Sequence, residues 1–107
     1  MIRNVVVGRL REGVALAQIQ AGLDAIAALD VPGMLDCRLG TDLRLRDAGW
    51  DFAITSDFVD EAAYRAYDAD AKHNTIRATM FAPLCSEIAR VQIDAAGPPD
   101  RAAPEPR

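Results

Sequence analysis

The sequence predicts an α+β fold, a sandwich in which four antiparallel strands form one sheet and helices cover one of its faces. Three observations predict it. Hydrophobic periodicity changes along the chain in the order strand, helix, strand, strand, helix or helix pair, strand; turn-forming residues separate these segments; and 107 residues with 50% hydrophobic side chains are one domain's worth of core. That order is the split βαβ plan.

The first segment, "IRNVVVGRL", has Ile2, Asn4, Val6 and Gly8 on one parity and Arg3, Val5, Val7 and Arg9 on the other. Apolar residues on both parities predict a strand covered on both sides. "VALAQIQAGLDAIAAL" repeats Leu16, Ile19, Leu23 and Ile26 at steps of three and four, the spacing of a helix with one buried stripe. "DVPG" predicts a reversal at Asp30 to Gly33, because proline fixes φ and glycine permits positive φ.

In "MLDCRLGTDLRL", Leu35, Cys37, Leu39, Leu43 and Leu45 alternate with Asp36, Arg38, Asp42 and Arg44, a long strand with a bulge expected at Gly40. After the "RDAG" turn, "WDFAITSDF" sets Trp50, Phe52, Ile54 and Phe58 on one face of a third strand. Asp60 is placed to cap a helix starting at "EAAYRAY". "DADAKHN" reads as an interruption, followed by a helix from about Asn74 to Leu84 that Pro83 limits. "CSEIARVQID" completes the sheet. The domain is expected over residues 1–94, and residues 95–107, with four of the chain's six prolines, as a Pro/Ala-rich disordered tail.

With 16 acidic against 12 basic side chains the formal charge is -4, and no Lys/Arg stripe is available for a phosphate backbone. Nucleic acid is not an expected partner. The N-terminal apolar stretch is too short and too broken by arginine for a signal peptide, and no segment approaches a membrane span. Cys37 and Cys85 have neither metal-type nor redox-type spacing, so a cytoplasmic location with inert thiols is the expectation. Helices on one face leave the other, with Val5, Val7, Ala53 and Thr55, for a second subunit; a homodimer is expected.

Chemistry centres on the only histidine, His73, which follows Tyr67 by six residues in "AYDADAKHN". Imidazole titrates near neutrality and can remove a proton alpha to a carbonyl, while a tyrosine hydroxyl can hydrogen-bond the enolate oxygen that develops. The competing reading is a partly exposed histidine at a helix start, held by Asp68 or Asp70 and without a chemical role. Asp68 and Asp70 lack further acidic neighbours for a metal site; metal and cofactor are both expected to be absent. Tyr64, one turn before Tyr67, reads as packing. Arg3, Arg9, Arg38 and Arg44 read as solvated or paired across a dimer.

The opening "MIRNVVVGRL", then "LGTDL", "DEAAYRAY", "AKH" and "APL", in this order over about residues 2 to 94, resemble the stress-responsive dimeric α/β-barrel (Dabb) family. The resemblance implies a ferredoxin-like subunit whose sheet closes a barrel with that of a second subunit. It also implies a pocket between sheet and helices, near Asn4, Val6, Leu23, Ile26 and Ile54, for a small apolar or aromatic organic ligand. Among family members is a polyketide cyclase that performs an aldol condensation without metal or organic cofactor, using a Tyr/His pair spaced as Tyr67 and His73 are here. By that resemblance Tyr67 and His73 are the expected catalytic pair of a cyclase-like or isomerase-like enzyme. The alternative is a non-catalytic stress-responsive or ligand-carrying barrel. Two departures stand out: the family's usual first-strand histidine is Asn4 here, and its His-Pro-x-His segment reads Asp70-Ala71-Lys72-His73.

Overall fold

In the computed structural model, which describes residues 1–95, the chain runs β1 (Ile2–Leu10), α1 (Leu16–Ala27), β2 (Met34–Thr41), β3 (Phe52–Phe58), α2 (Glu61–Ala69), α3 (Ala71–Ile76) and β4 (Cys85–Asp94). A π-helical turn, Arg77–Phe81, continues α3. The strands form one antiparallel sheet in the order β2-β3-β1-β4, the ferredoxin-like arrangement expected. The expected tail lies outside the described residues except for Ala95.

Burial follows the pleat most plainly in β3, where Phe52, Ile54, Ser56 and Phe58 are buried and the residues between them only half so. Phe58 packs against Tyr64 and Tyr67, while Phe52 and Ile54 meet Ile19, Leu23 and Ile26 of α1 in one core with Phe81 and Cys85. Each such side chain contributes about 1.5–3 kcal/mol by leaving water. Gly8 is required in β1, because a Cβ there would collide with the Phe52 ring. Gly22 similarly lets α1 approach Phe81, whose ring stacks on Phe52 at 5.6 Å.

Four expectations are corrected. The irregularity of β2 falls between Met34 and Asp36 rather than at Gly40, which pairs regularly with Ala53; the shift turns Leu35 outward, leaving it exposed. β2 ends at Thr41, and Arg44 then takes φ 58°, so Leu43 and Leu45 leave the ladder and are 79% and 83% exposed. Trp50 precedes β3 and lies under the Arg9 guanidinium, 4.3 Å from its ring centre, instead of in the core. "DADAKHN" is no extended interruption: α2 continues to Ala69, Asp70 alone is extended, and α3 begins at Ala71.

Arg3, Arg9, Arg38 and Arg44 all find carboxylates within their own chain: Asp57, Glu87, Asp36, and Asp42 with Asp51, respectively. No helix among the described residues is long and apolar enough to cross a membrane.

Candidate active site

The break at Asp70 makes the site. Asp70 ends α2 and starts α3, and its carboxylate accepts the His73 backbone N–H at 2.8 Å, satisfying a donor the first turn leaves free. Restarting the helix there folds the His73 ring back over Tyr67. The two rings stack with centroids 3.9 Å apart and planes 25° apart, and His73 Nδ1 lies 2.9 Å from the Tyr67 backbone carbonyl oxygen. A carbonyl can only accept, so Nδ1 carries the proton and Nε2 keeps its lone pair in the neutral ring.

His73 is 6% exposed, buried rather than partly exposed as a helix-start histidine would be. Burial holds its pKa below the usual imidazole value, against the opposing pull of its bond to the Tyr67 carbonyl. Burial likewise pushes the Tyr67 phenol up, with the nearby Cys37 thiol adding to the rise. At neutral pH the imidazole is therefore a free base and the phenol a proton-bearing donor. No hydrogen bond joins the Tyr67 hydroxyl to His73; stacking and the backbone carbonyl hold the pair together.

Both side chains line a cavity of about 400 Å³ between the sheet and the helices. Of the five expected pocket residues, Asn4, Val6, Ile26 and Ile54 also line it. Leu23 does not: it is fully buried in the core, three residues before Ile26. Phe52, Phe81 and Ile88 extend the apolar wall. Asn4, 5% exposed, accepts from Gln92 Nε2 at 2.9 Å, leaving its own amide N–H₂ without a partner among the described residues.

Several lining residues escaped sequence reasoning. Tyr64 packs edge-on to Phe58 as expected, yet also borders the cavity. The π-turn supplies Arg77, Ala78, Phe81 and Ala82, closed by the Ala82 N–H to Arg77 carbonyl bond of 2.9 Å. The wider turn sets all four on one wall, and π-bulges frequently mark functional sites. Asp68, Asn74 and Arg90 complete the exposed rim. Among the described residues, no three His, Cys, Asp or Glu side chains converge in a way that would hold a metal ion.

The profile of the Stress responsive A/B Barrel Domain, Dabb, matches residues 2–95. The chain belongs to the Dabb family. The Dabb fold is also found in solved structures similar to this chain. A dimeric ferredoxin-like protein of unknown function from Thermobifida fusca is 28% identical, with a TM-score of 0.78 over 86% of this chain and 88% of that one. A hydroxynitrile lyase from Passiflora edulis is 24% identical, with a TM-score of 0.72 over 91% and 96% of the two chains. A variant of SnoaB, a cofactor-independent oxygenase from Streptomyces nogalater, is 20% identical, with a TM-score of 0.73 over 91% and 94%. No curated protein sequence matches the chain. In this Dabb domain, Asp70 serves as the cap that orients His73.

Proposed function

We propose that this Dabb domain binds a small organic molecule with a largely apolar body and an enolisable carbonyl, and catalyses proton transfer on it without a cofactor. The observation that carries the reading is the His73 Nδ1 contact with the Tyr67 carbonyl, which leaves Nε2 as the basic atom in a cavity walled by Phe52, Ile54 and Phe81. Nε2 removes the proton alpha to the carbonyl, and the C–H electron pair moves into an enolate. The Tyr67 hydroxyl, kept protonated by burial, donates a hydrogen bond to the enolate oxygen. In an aldol closure the enolate carbon attacks a second carbonyl, and the new alkoxide takes the proton back from His73. In an isomerisation the proton returns to a different carbon. Asn4 offers a second amide donor.

A cofactor-independent oxygenase and a hydroxynitrile lyase on this fold support an enzymatic reading. Dimeric relatives support a homodimer. Its interface would use the uncovered sheet face, where Val5 pairs with Val91 and Arg3 with Ile93, and where Val91 and Ile93 are 53% and 48% exposed. The two unpaired cysteines fit a reducing, cytoplasmic setting.

A second reading, a ligand carrier without turnover, is favoured by the absence of a hydroxyl-to-imidazole bond within the stacked pair. A binding screen of ketones and polyketide-like phenols on the wild type, His73→Ala and Tyr67→Phe, followed by turnover on each hit, separates the two. Turnover that collapses in both variants while binding persists supports the enzyme. Binding with no turnover in any of the three supports the carrier.

A further inference from the structure

We infer that the ligand of this cavity carries a carboxylate and that Arg90 is the residue that holds it, an inference that rests on the ligand-binding reading above. Every other arginine of the described residues that borders a structured element is already engaged. Arg3, Arg9, Arg38, Arg44, Arg65 and Arg77 each sit beside a carboxylate of the same chain. Arg11 donates to the backbone carbonyls of Pro83 and Ala82. Arg46 lies on the exposed loop between β2 and β3 and does not line this cavity. Arg90 alone both lines the cavity and has no hydrogen-bond or ion-pair partner among the described residues.

Its position follows from strand register. Arg90 lies opposite Val6, between the pairs Asn4 with Gln92 and Gly8 with Ile88, all on the helix-covered face. The guanidinium therefore belongs to the same wall as Asn4 and Val6, across from Tyr64 and the π-turn. The second rim arginine adds little net charge: Arg77 is 3.3 Å from Asp68 and 3.2 Å from the Asn74 side-chain oxygen. The rim thus holds one uncompensated positive charge on a chain whose formal charge is -4. Burial raises the Tyr64 phenol and Asp68 raises it further, while Arg90, Arg77 and Arg65 pull it down, so Arg90 lies within electrostatic reach of Tyr64. A planar guanidinium at the rim of an apolar cavity matches a carboxylate on an otherwise apolar ligand. With the acid group at Arg90, the body of the ligand extends past Val6 toward Phe52 and Phe81, and past Tyr67 and His73.

The test uses 3-benzoylpropionate and its neutral amide, 3-benzoylpropionamide, titrated against the wild type, Arg90→Gln and Arg90→Lys, with circular dichroism to verify folding. The expected result is about tenfold tighter binding of the acid by the wild type. Arg90→Gln then weakens the acid about tenfold and leaves the amide unchanged, Arg90→Lys keeps much of the preference, and added salt erodes it. Equal binding of acid and amide by the wild type, or an Arg90→Gln effect of the same size on both, overturns the role of Arg90 while leaving the cavity as a binding site. Failure of both compounds to bind the wild type overturns the ligand-binding reading and this inference with it.

Discussion

His73 Nδ1 lies 2.9 Å from the backbone carbonyl oxygen of Tyr67, and the two rings stack at 3.9 Å, so the geometry of the pair is set by main chain and ring faces rather than by a hydroxyl-to-imidazole bond. The tautomer is fixed by a group that does not titrate. Whatever the ligand, the imidazole meets it with the Nε2 lone pair.

The lowered pKa of His73 makes stability depend on pH. Because the folded value lies below the ordinary 6.5, the unfolded chain binds the proton first between the two. The stability from the buried neutral ring is full above 6.5 and is lost as pH falls toward the folded value. Chemical denaturation of the wild type and His73→Gln across this range should show the wild type losing stability faster on acidification. Asp51 and Asp57, both held below 3.8 chiefly by hydrogen bonds, contribute equally to both proteins and at lower pH. Parallel pH profiles for the two proteins would remove the buried neutral imidazole from the account.

Two helix caps differ in what they hold. Asp60 accepts the Ala63 N–H at 2.8 Å and starts α2; Asp70 accepts the His73 N–H at 2.8 Å and starts α3. Asp60→Ala and Asp70→Ala should each cost about 1 kcal/mol of stability. Only Asp70→Ala should also lower kcat and broaden the His73 imidazole signals in NMR spectra, because only that cap sets the ring. Equal effects of the two on His73 would deny Asp70 its positioning role.

The uncovered sheet face makes the dimer testable. Val91 is 53% exposed on the edge strand β4, where it pairs with Val5 of β1 on that face. Val91→Lys would bury an unpaired ammonium in a two-fold interface there, at a cost of several kcal/mol per ion. Sedimentation velocity should show a wild-type dimer and a Val91→Lys monomer. A variant that sediments like the wild type would put the interface elsewhere.

Much of the fold was legible because its periodicities are strong. α1 carries Leu16, Ile19, Leu23 and Ile26 in one stripe, and β3 alternates cleanly from Phe52 to Phe58. β2 misled because its alternation runs on through Leu43 and Leu45, while backbone pairing stops at Thr41; side-chain pattern carries no information about where a ladder ends. The single-residue break at Asp70 and the π-turn after it depend on hydrogen-bond choices within a continuous helical pattern, and composition is blind to those. The resemblance marked Tyr67 and His73, but Leu23 and Ile26 differ by less than one turn and share one core, and only packing decides that Ile26 also lines the cavity. Arg90 had no signal in one dimension. Its meaning comes from facing Val6 across β1 and β4 and from the pairing of the other arginines.

The central claim is that His73 and Tyr67 move a proton on a ligand bound in the cavity. The most direct measurement is proton NMR of hydrogen–deuterium exchange at the alpha carbon of 3-benzoylpropionamide in D₂O, with the wild type, His73→Gln and Tyr67→Phe at equal concentration. The account predicts exchange accelerated by the wild type, abolished to the solvent rate in His73→Gln, and slowed about 100-fold or more in Tyr67→Phe, which keeps the ring and the backbone carbonyl but loses the donor. Equal exchange rates in all three proteins, with the amide bound by each, would contradict it.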